Sequence, residues 1–352
     1  MENINVKSFV NKILAGVALG IVVGLIPNAI LGELFKFLSQ YHDIFATLNS
    51  VVVGIQFTVP VIVGVLIAMQ FKMNSIQTVI VGTASFVGSG AASFQGNIWI
   101  LTGIGDLINT MITASIAVLI IMLIQDKLKS LTIILLPIIA GGIAGFIGII
   151  LLPYVQLITD GIGQVINSFT TLQPLLMYIL IAIAFSIIIV SPISTVAIAM
   201  AIGISGLAAG AANIGIAAAA CMLVIGTFKV NNSGVPIAIF LGAMKMMMPN
   251  LLKNPIIAVP IGLTAAVTGF VASFVGIEGT KESAGFGFSG LVGPINAVKF
   301  MDGSILVNIG MLILVYFIVP FIAAYVIHHL CTRVLKLYDP SVFKFISEES
   351  GE

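Results

Sequence analysis

Apolar residues along this chain come in runs long enough to cross a bilayer, and polar residues fall in short breaks between them. A span needs about 20 apolar residues. Runs of that order cover 9–31, 44–71, 76–95, 103–125, 131–153, 172–191, 194–228, 234–249, 255–277 and 303–330. The run 194–228 is too long for one span and predicts a split or broken segment. Residues 155–171 differ. Gln156, Asp160, Gln164 and Asn167 are interleaved with apolar residues at helical spacing, which suits a helix lying at the membrane interface. The pattern predicts an all-α polytopic membrane protein of about ten transmembrane helices, with re-entrant or broken segments, and 1–352 as a single membrane domain.

Weak internal repetition runs through these spans. Ile13–Gly16 with Gly20 matches Ile138–Gly141 with Gly145, and Ser85–Ser93 parallels Ser205–Asn213. Ile108-Asn109-Thr110 likewise parallels Val230-Asn231-Asn232. The similar offsets and preserved order predict units at about 9–130 and 131–253, with a shorter third at 254–330. Lys7 and Lys12 precede the first unit, Lys127 and Lys129 the second, and Lys253 the third. The bias of Lys and Arg toward cytoplasmic loops starts all three inside, which makes the repeats parallel. Arg333, Lys336 and Lys344 follow the last span, so 331–352 reads as a cytoplasmic tail and both termini as cytoplasmic. The run 9–31 is longer than a signal-peptide core and lacks a small-residue cleavage site, so it reads as the first span.

Composition strengthens the membrane assignment. Of 352 residues, 59% are hydrophobic and only 8% charged, with mean hydropathy +1.22. Soluble domains carry about 25% charged residues. A net charge of +1 lacks the basic footprint that nucleic-acid binding needs. Cys221 and Cys331 sit in or beside apolar runs without metal-ligand spacing. No catalytic triad, nucleotide loop or zinc motif is legible, so the chain implies no cofactor and cannot by itself be an ATP-driven pump.

Against this background the stretch Gly276–Pro294 stands out. It holds Glu278, Lys281 and Glu282 among six glycines and one proline. Charged, irregular backbone between spans is tolerated where it meets water or lines a protein cavity. The stretch is therefore either part of a solute pathway or an aqueous loop. Asp106 precedes Asn109 by three residues and reads as a helix N-cap, a role that could coexist with function. Asn231 and Asn232, in the polar break 229–236, read as a turn or as amide ligands for a neutral polyol. The glycine-rich runs 82–96 and 203–215 suit close helix packing or re-entrant hairpins. Lys245, in a Met-rich segment, is expected to snorkel to the interface. His328 and His329 adjoin the basic end of the last span and read as interfacial.

Three blocks carry a resemblance: Lys12–Gly32 (KILAGVALGIVVGLIPNAILG), Gly103–Ala114 (GIGDLINTMITA) and Asn231–Ala238 (NNSGVPIA). They resemble phosphotransferase-system IIC-type sugar permeases, including the perfringolysin-regulator-like membrane proteins. The resemblance implies a stand-alone IIC permease of the bacterial cell membrane, homodimeric, moving a sugar by alternating access. In that family a Gly-Ile-Thr-Glu-Pro-like motif supplies a sugar-binding glutamate. Here Gly276-Ile277-Glu278-Gly279 is the nearest match, shifted and lacking the proline. The implied solute site is Glu278 and Glu282, with Asn231, Asn232, Asp106 and Asn109 lining it. No IIA or IIB domain is part of the chain, so substrate phosphorylation would need a separate IIB protein. A non-transporting sensor and a carrier of an amphipathic or lipid-linked substrate are the alternatives.

Overall fold

The computed structural model describes residues 5–124, 127–281 and 283–345. Its chain divides into two compact units. One takes in residues up to Asn28 and Leu38–Ile158, and the other Ala29–Phe37 and Thr159–Phe345.

The first unit is built on helices α1 (Val6–Leu38), α2 (Asp43–Phe57), α3 (Val59–Gln70) and α4 (Ser75–Ser89). It continues through strands β1 (Ala92–Gln95) and β2 (Ile98–Leu101) to α5 (Leu107–Ile124), α6 (Thr132–Leu136) and α7 (Ile143–Phe169). The last residues of α1, and those of α7 beyond Ile158, belong to the second unit. Gly16, Gly20 and Gly24, spaced by four, form one seam of α1. A Cβ on Gly16 would lie 2.5 Å from the Ile67 Cα, and one on Gly20 2.7 Å from the Val63 Cα. Only hydrogens at these positions let α1 lie directly on the α3 backbone, the close approach that drives helix association in lipid.

Two expectations fail in this unit. The run 76–95 is not one span, because α4 stops at Ser89 and Gly90 takes a left-handed φ of +73°. The next ten residues form an antiparallel hairpin pairing Phe94 with Trp99. Gly96 and Asn97 both have positive φ, the conformation a two-residue hairpin turn demands. Nor is 155–171 a separate interfacial helix. Helix α7 passes through Pro153 without interruption, so the polarity change at 155 alters what the helix surface meets and leaves its backbone intact.

The second unit holds α8 (Pro174–Ile188), α9 (Thr195–Ile202), α10 (Gly206–Thr227), α11 (Gly234–Phe240) and α12 (Met248–Lys253). It ends with α13 (Ala258–Val275), α14 (Val292–Val298), α15 (Ile305–Ile313) and α16 (Val319–His329). Every residue of α10 from Ala208 to Leu223 is buried. A helix apolar on all sides belongs in the interior of a bundle. Ala182 of α8, Ala218 of α10 and Ala265 of α13 meet at its centre. The expected split of 194–228 falls at Gly203, left-handed at φ +65°, which ends α9.

Among the described residues, six helices are long and apolar enough to cross a membrane, or seven if the pair α2–α3, bent by 46°, counts as one span. That is fewer than the ten expected. The run 234–249 holds only the seven-residue α11 and a 3-10 turn at Met244–Met247. The run 172–191 yields the 15-residue α8. Of the sequence parallels, Ser85–Ser93 closes a helix and enters a strand, whereas Ser205–Asn213 opens one.

Candidate functional site

The described residues of 276–294 belong to the second unit and run as turns and short helical pieces. Gly276, left-handed at φ +69°, ends α13. The Tyr178 hydroxyl of α8 donates to the Ile277 carbonyl. Two residues on, Gly279 exchanges backbone hydrogen bonds with Gly206 at 2.9 and 3.0 Å. Glu278 is thereby pinned on both sides. Its Oε2 lies 3.9 Å from where a Gly206 Cβ would be, at the start of α10. That end of a 22-residue helix carries partial positive charge and unpaired N–H groups, which favour an anion.

Asn213, wholly buried, fixes the rest of the stretch. Its Nδ2 donates to Ser283 Oγ at 3.4 Å, and its Oδ1 accepts from Gly287 N at 3.1 Å. Ser283 closes a reciprocal turn with Thr280. Thr195 Oγ1 donates to the Gly285 carbonyl at 2.9 Å. Gly210 is needed because a Cβ there would collide with the Ile277 carbonyl. Buried polar groups cost free energy unless hydrogen-bonded, so each of these partners secures the course of the stretch.

Beside the start of α10 lies a cavity of about 400 Å³. Asn167 and Thr170 at the end of α7 line it, with Met177 of α8 and Ile204, Ser205 and Leu207 around the α10 N-terminus. Leu207 and Ser205, which line it, flank Gly206, the residue that Glu278 approaches at the start of α10. Amide, hydroxyl and carboxylate together offer both acceptors and donors, an arrangement suited to hydroxyl groups. Among the described residues no group of three His, Cys, Asp or Glu is placed to hold a metal ion.

Of the other residues singled out from sequence, Asp106 and Asn109 belong to the first unit and Asn231 and Asn232 to the second. Glu282 lies outside the described residues. Asp106 caps α5, its Oδ1 accepting from Asn109 N at 2.8 Å. Burial pushes its carboxyl above the usual range, while the Asn109 and Ile108 N–H groups pull the other way. Asn109, fully buried, donates from Nδ2 to the Gly88 and Gly148 carbonyls and so ties α4, α5 and α7 together. Among the described residues its Oδ1 and the Thr113 hydroxyl one turn on have no hydrogen-bond partner.

Asn231 sits beyond the far end of α10 from Glu278, about 30 Å away by helix rise. Its Nδ2 donates to the Thr227 and Phe343 carbonyls and its Oδ1 accepts from Phe345 N, at 3.1, 2.9 and 2.6 Å. Both ends of the amide thus reach the C-terminal segment, and Asn250 likewise donates from Nδ2 to the Val342 and Lys344 carbonyls. Asn232 is exposed in the turn. Lys245 does not snorkel: it is 8% exposed and donates to the Ser191 and Ile193 carbonyls. His328 bonds through Nδ1 with the Tyr338 hydroxyl at 3.1 Å.

Asn167, Thr170, Ser205, Tyr178 and Asn213 escaped the sequence reading. Asn213 alone left a usable signal, as a lone amide in a helix of Ala, Gly and Ile.

No curated protein and no solved structure matches the chain significantly. A family comparison does: the profile described as Phosphotransferase system, EIIC matches residues 11–345. That match covers nearly all of the chain, so this integral membrane protein belongs to the phosphotransferase-system EIIC family of permeases.

Proposed function

We propose that the protein carries a small polyhydroxylated solute, a carbohydrate, across the cell membrane, and that the cavity beside Glu278 receives it. The observation that supports this most is the placement of Glu278. Its backbone is pinned by Tyr178 through Ile277 and by Gly206 through Gly279, its carboxylate approaches Gly206, and Ser205 and Leu207 on either side of Gly206 line a cavity of about 400 Å³ together with Asn167 and Thr170. That volume falls in the range of about 300–1,000 Å³ typical of small-molecule sites. The carboxylate accepts from two hydroxyls, and the amide and hydroxyl side chains orient the others. Glu282 is a further candidate in the same stretch.

Transport follows alternating access in this reading, with the site carried by the unit of residues 159–345. The protein works as a homodimer among membrane lipids and hands its solute to a separate IIB protein for phosphorylation. The lysines before each sequence unit, with Arg333 and Lys336 after the last span, put both termini on the cytoplasmic side.

Equilibrium binding of radiolabelled hexoses, hexitols, disaccharides and hexose phosphates to purified protein tests the site. One unphosphorylated class should bind, and Glu278→Gln should weaken that binding about 100-fold, the loss of charge-assisted hydrogen bonds. An unchanged isotherm for the variant sinks the assignment. Flux of the bound class into proteoliposomes then separates a carrier from a sensor, which would bind without flux.

A further inference from the structure

The Lys245 amine is the most unusual ionisable group in the second unit. It is buried, and its interactions are two: Nζ donates to the Ser191 and Ile193 carbonyls, each at 2.7 Å. Among the described residues no carboxylate pairs with it. A buried charge without a counter-charge is costly, and burial holds the amine below its ordinary basicity. A protonated amine here therefore relies on the two carbonyls to offset the cost of burial.

The backbone supplies both carbonyls. The chain between α8 and α9 is unwound. Val190 and Ser191 close the end of α8 with bonds back to the Ile187 and Ile188 carbonyls. Pro192 has no N–H with which to continue, and Ile193 N turns onto Ser191 Oγ at 3.1 Å. Ser194 then caps α9, accepting from Ala197 N. The carbonyls of Ser191 and Ile193 are therefore spent on no helix. They lie at the negative end of α8. Unwound carbonyls at the end of a broken helix are the means by which membrane proteins coordinate dehydrated monovalent cations. An N···O distance of 2.7 Å makes the ammonium comparable in size with such an ion.

We propose that the break between α8 and α9 is a monovalent-cation site, and that the Lys245 ammonium fills it as a covalently tethered cation. The protein therefore needs no free ion there, and removing the side chain uncovers a site that a free cation can occupy. This inference does not depend on the solute assigned above.

Thermal unfolding of the detergent-purified full chain tests it, at pH 6 and constant ionic strength, in choline, sodium, potassium or methylammonium chloride. The wild type should have the same Tm in all four. Lys245→Ala should lower Tm in choline by about 5–10 °C, and potassium, sodium or methylammonium should restore most of the loss along a saturable curve. Lys245→Met, which fills the space with an apolar chain, should show the loss without the rescue. If the Ala variant loses stability equally in all four salts, Lys245 is only a helix cap and the proposal fails. A wild type whose Tm rises with potassium or sodium over choline overturns it too. Should Lys245→Ala not be recovered, Lys245→Ser is read in the same way. Failure of both to fold in potassium, sodium and methylammonium alike also counts against the site.

Discussion

Asn109 in α5 and Asn213 in α10 are the same side chain in the same surroundings, each with no exposure, on a helix otherwise apolar or small. They are used differently. Asn109 joins regular structure to regular structure, its two donor bonds reaching the carbonyls of Gly88 and Gly148 on neighbouring helices. Asn213 joins a helix to irregular backbone, holding Ser283 and Gly287 in the stretch that presents Glu278. A buried amide thus marks where backbone needs partners. The partnered backbone decides whether the consequence is packing or the shape of a site.

Substitutions at three positions sharpen or break that contrast. The largest loss of stability should come from Asn109→Ala, which strips a partner from two backbone carbonyls and costs about 2–4 kcal/mol. Folded material should still bind solute with unchanged affinity; weakened binding would erase the distinction. Asn213→Ala should cost less stability, about 1–3 kcal/mol, yet lower solute affinity about tenfold as the 276–294 stretch loosens. Asn213→Asp keeps the acceptor for Gly287 N and should recover part of that affinity. If the two Asn213 variants bind alike, the amide acts on stability only. The smallest effect belongs to Asp106→Ala, which removes a helix cap worth about 1 kcal/mol and leaves binding alone. Denaturation in detergent, paired with solute titration, reads all three.

Glu278 was legible in sequence because a charge among apolar spans is expensive and so conspicuous. Asp106 was legible as a cap from its place before Leu107. The residues that complete the candidate site were not. Asn167 and Thr170 sit in a stretch whose polarity looked like an interfacial surface, and Ser205 looked like part of a small-residue run. Their role depends on the ends of α7 and α10 coming together, which no local spacing encodes. Residues 92–95 close the apolar run 76–95, yet they form the first strand of a hairpin, because the left-handed Gly96-Asn97 turn pairs them with 98–101. Asn231 invites reading as a ligand, yet its partners Phe343 and Phe345 lie more than a hundred positions further on.

That last separation bears on how the protein is made. Asn231 and Asn250 grip a segment, 342–345, that leaves the ribosome only after α11 to α16 have been synthesised. Phe343, with no exposure, then seats against Gly226. Until it arrives, the Asn250 amide lacks both its donor bonds and the Asn231 amide keeps only its bond to Thr227. Closing the end of α10 is therefore a late step in the chain's synthesis, set by residues 342–345 rather than by the helix itself.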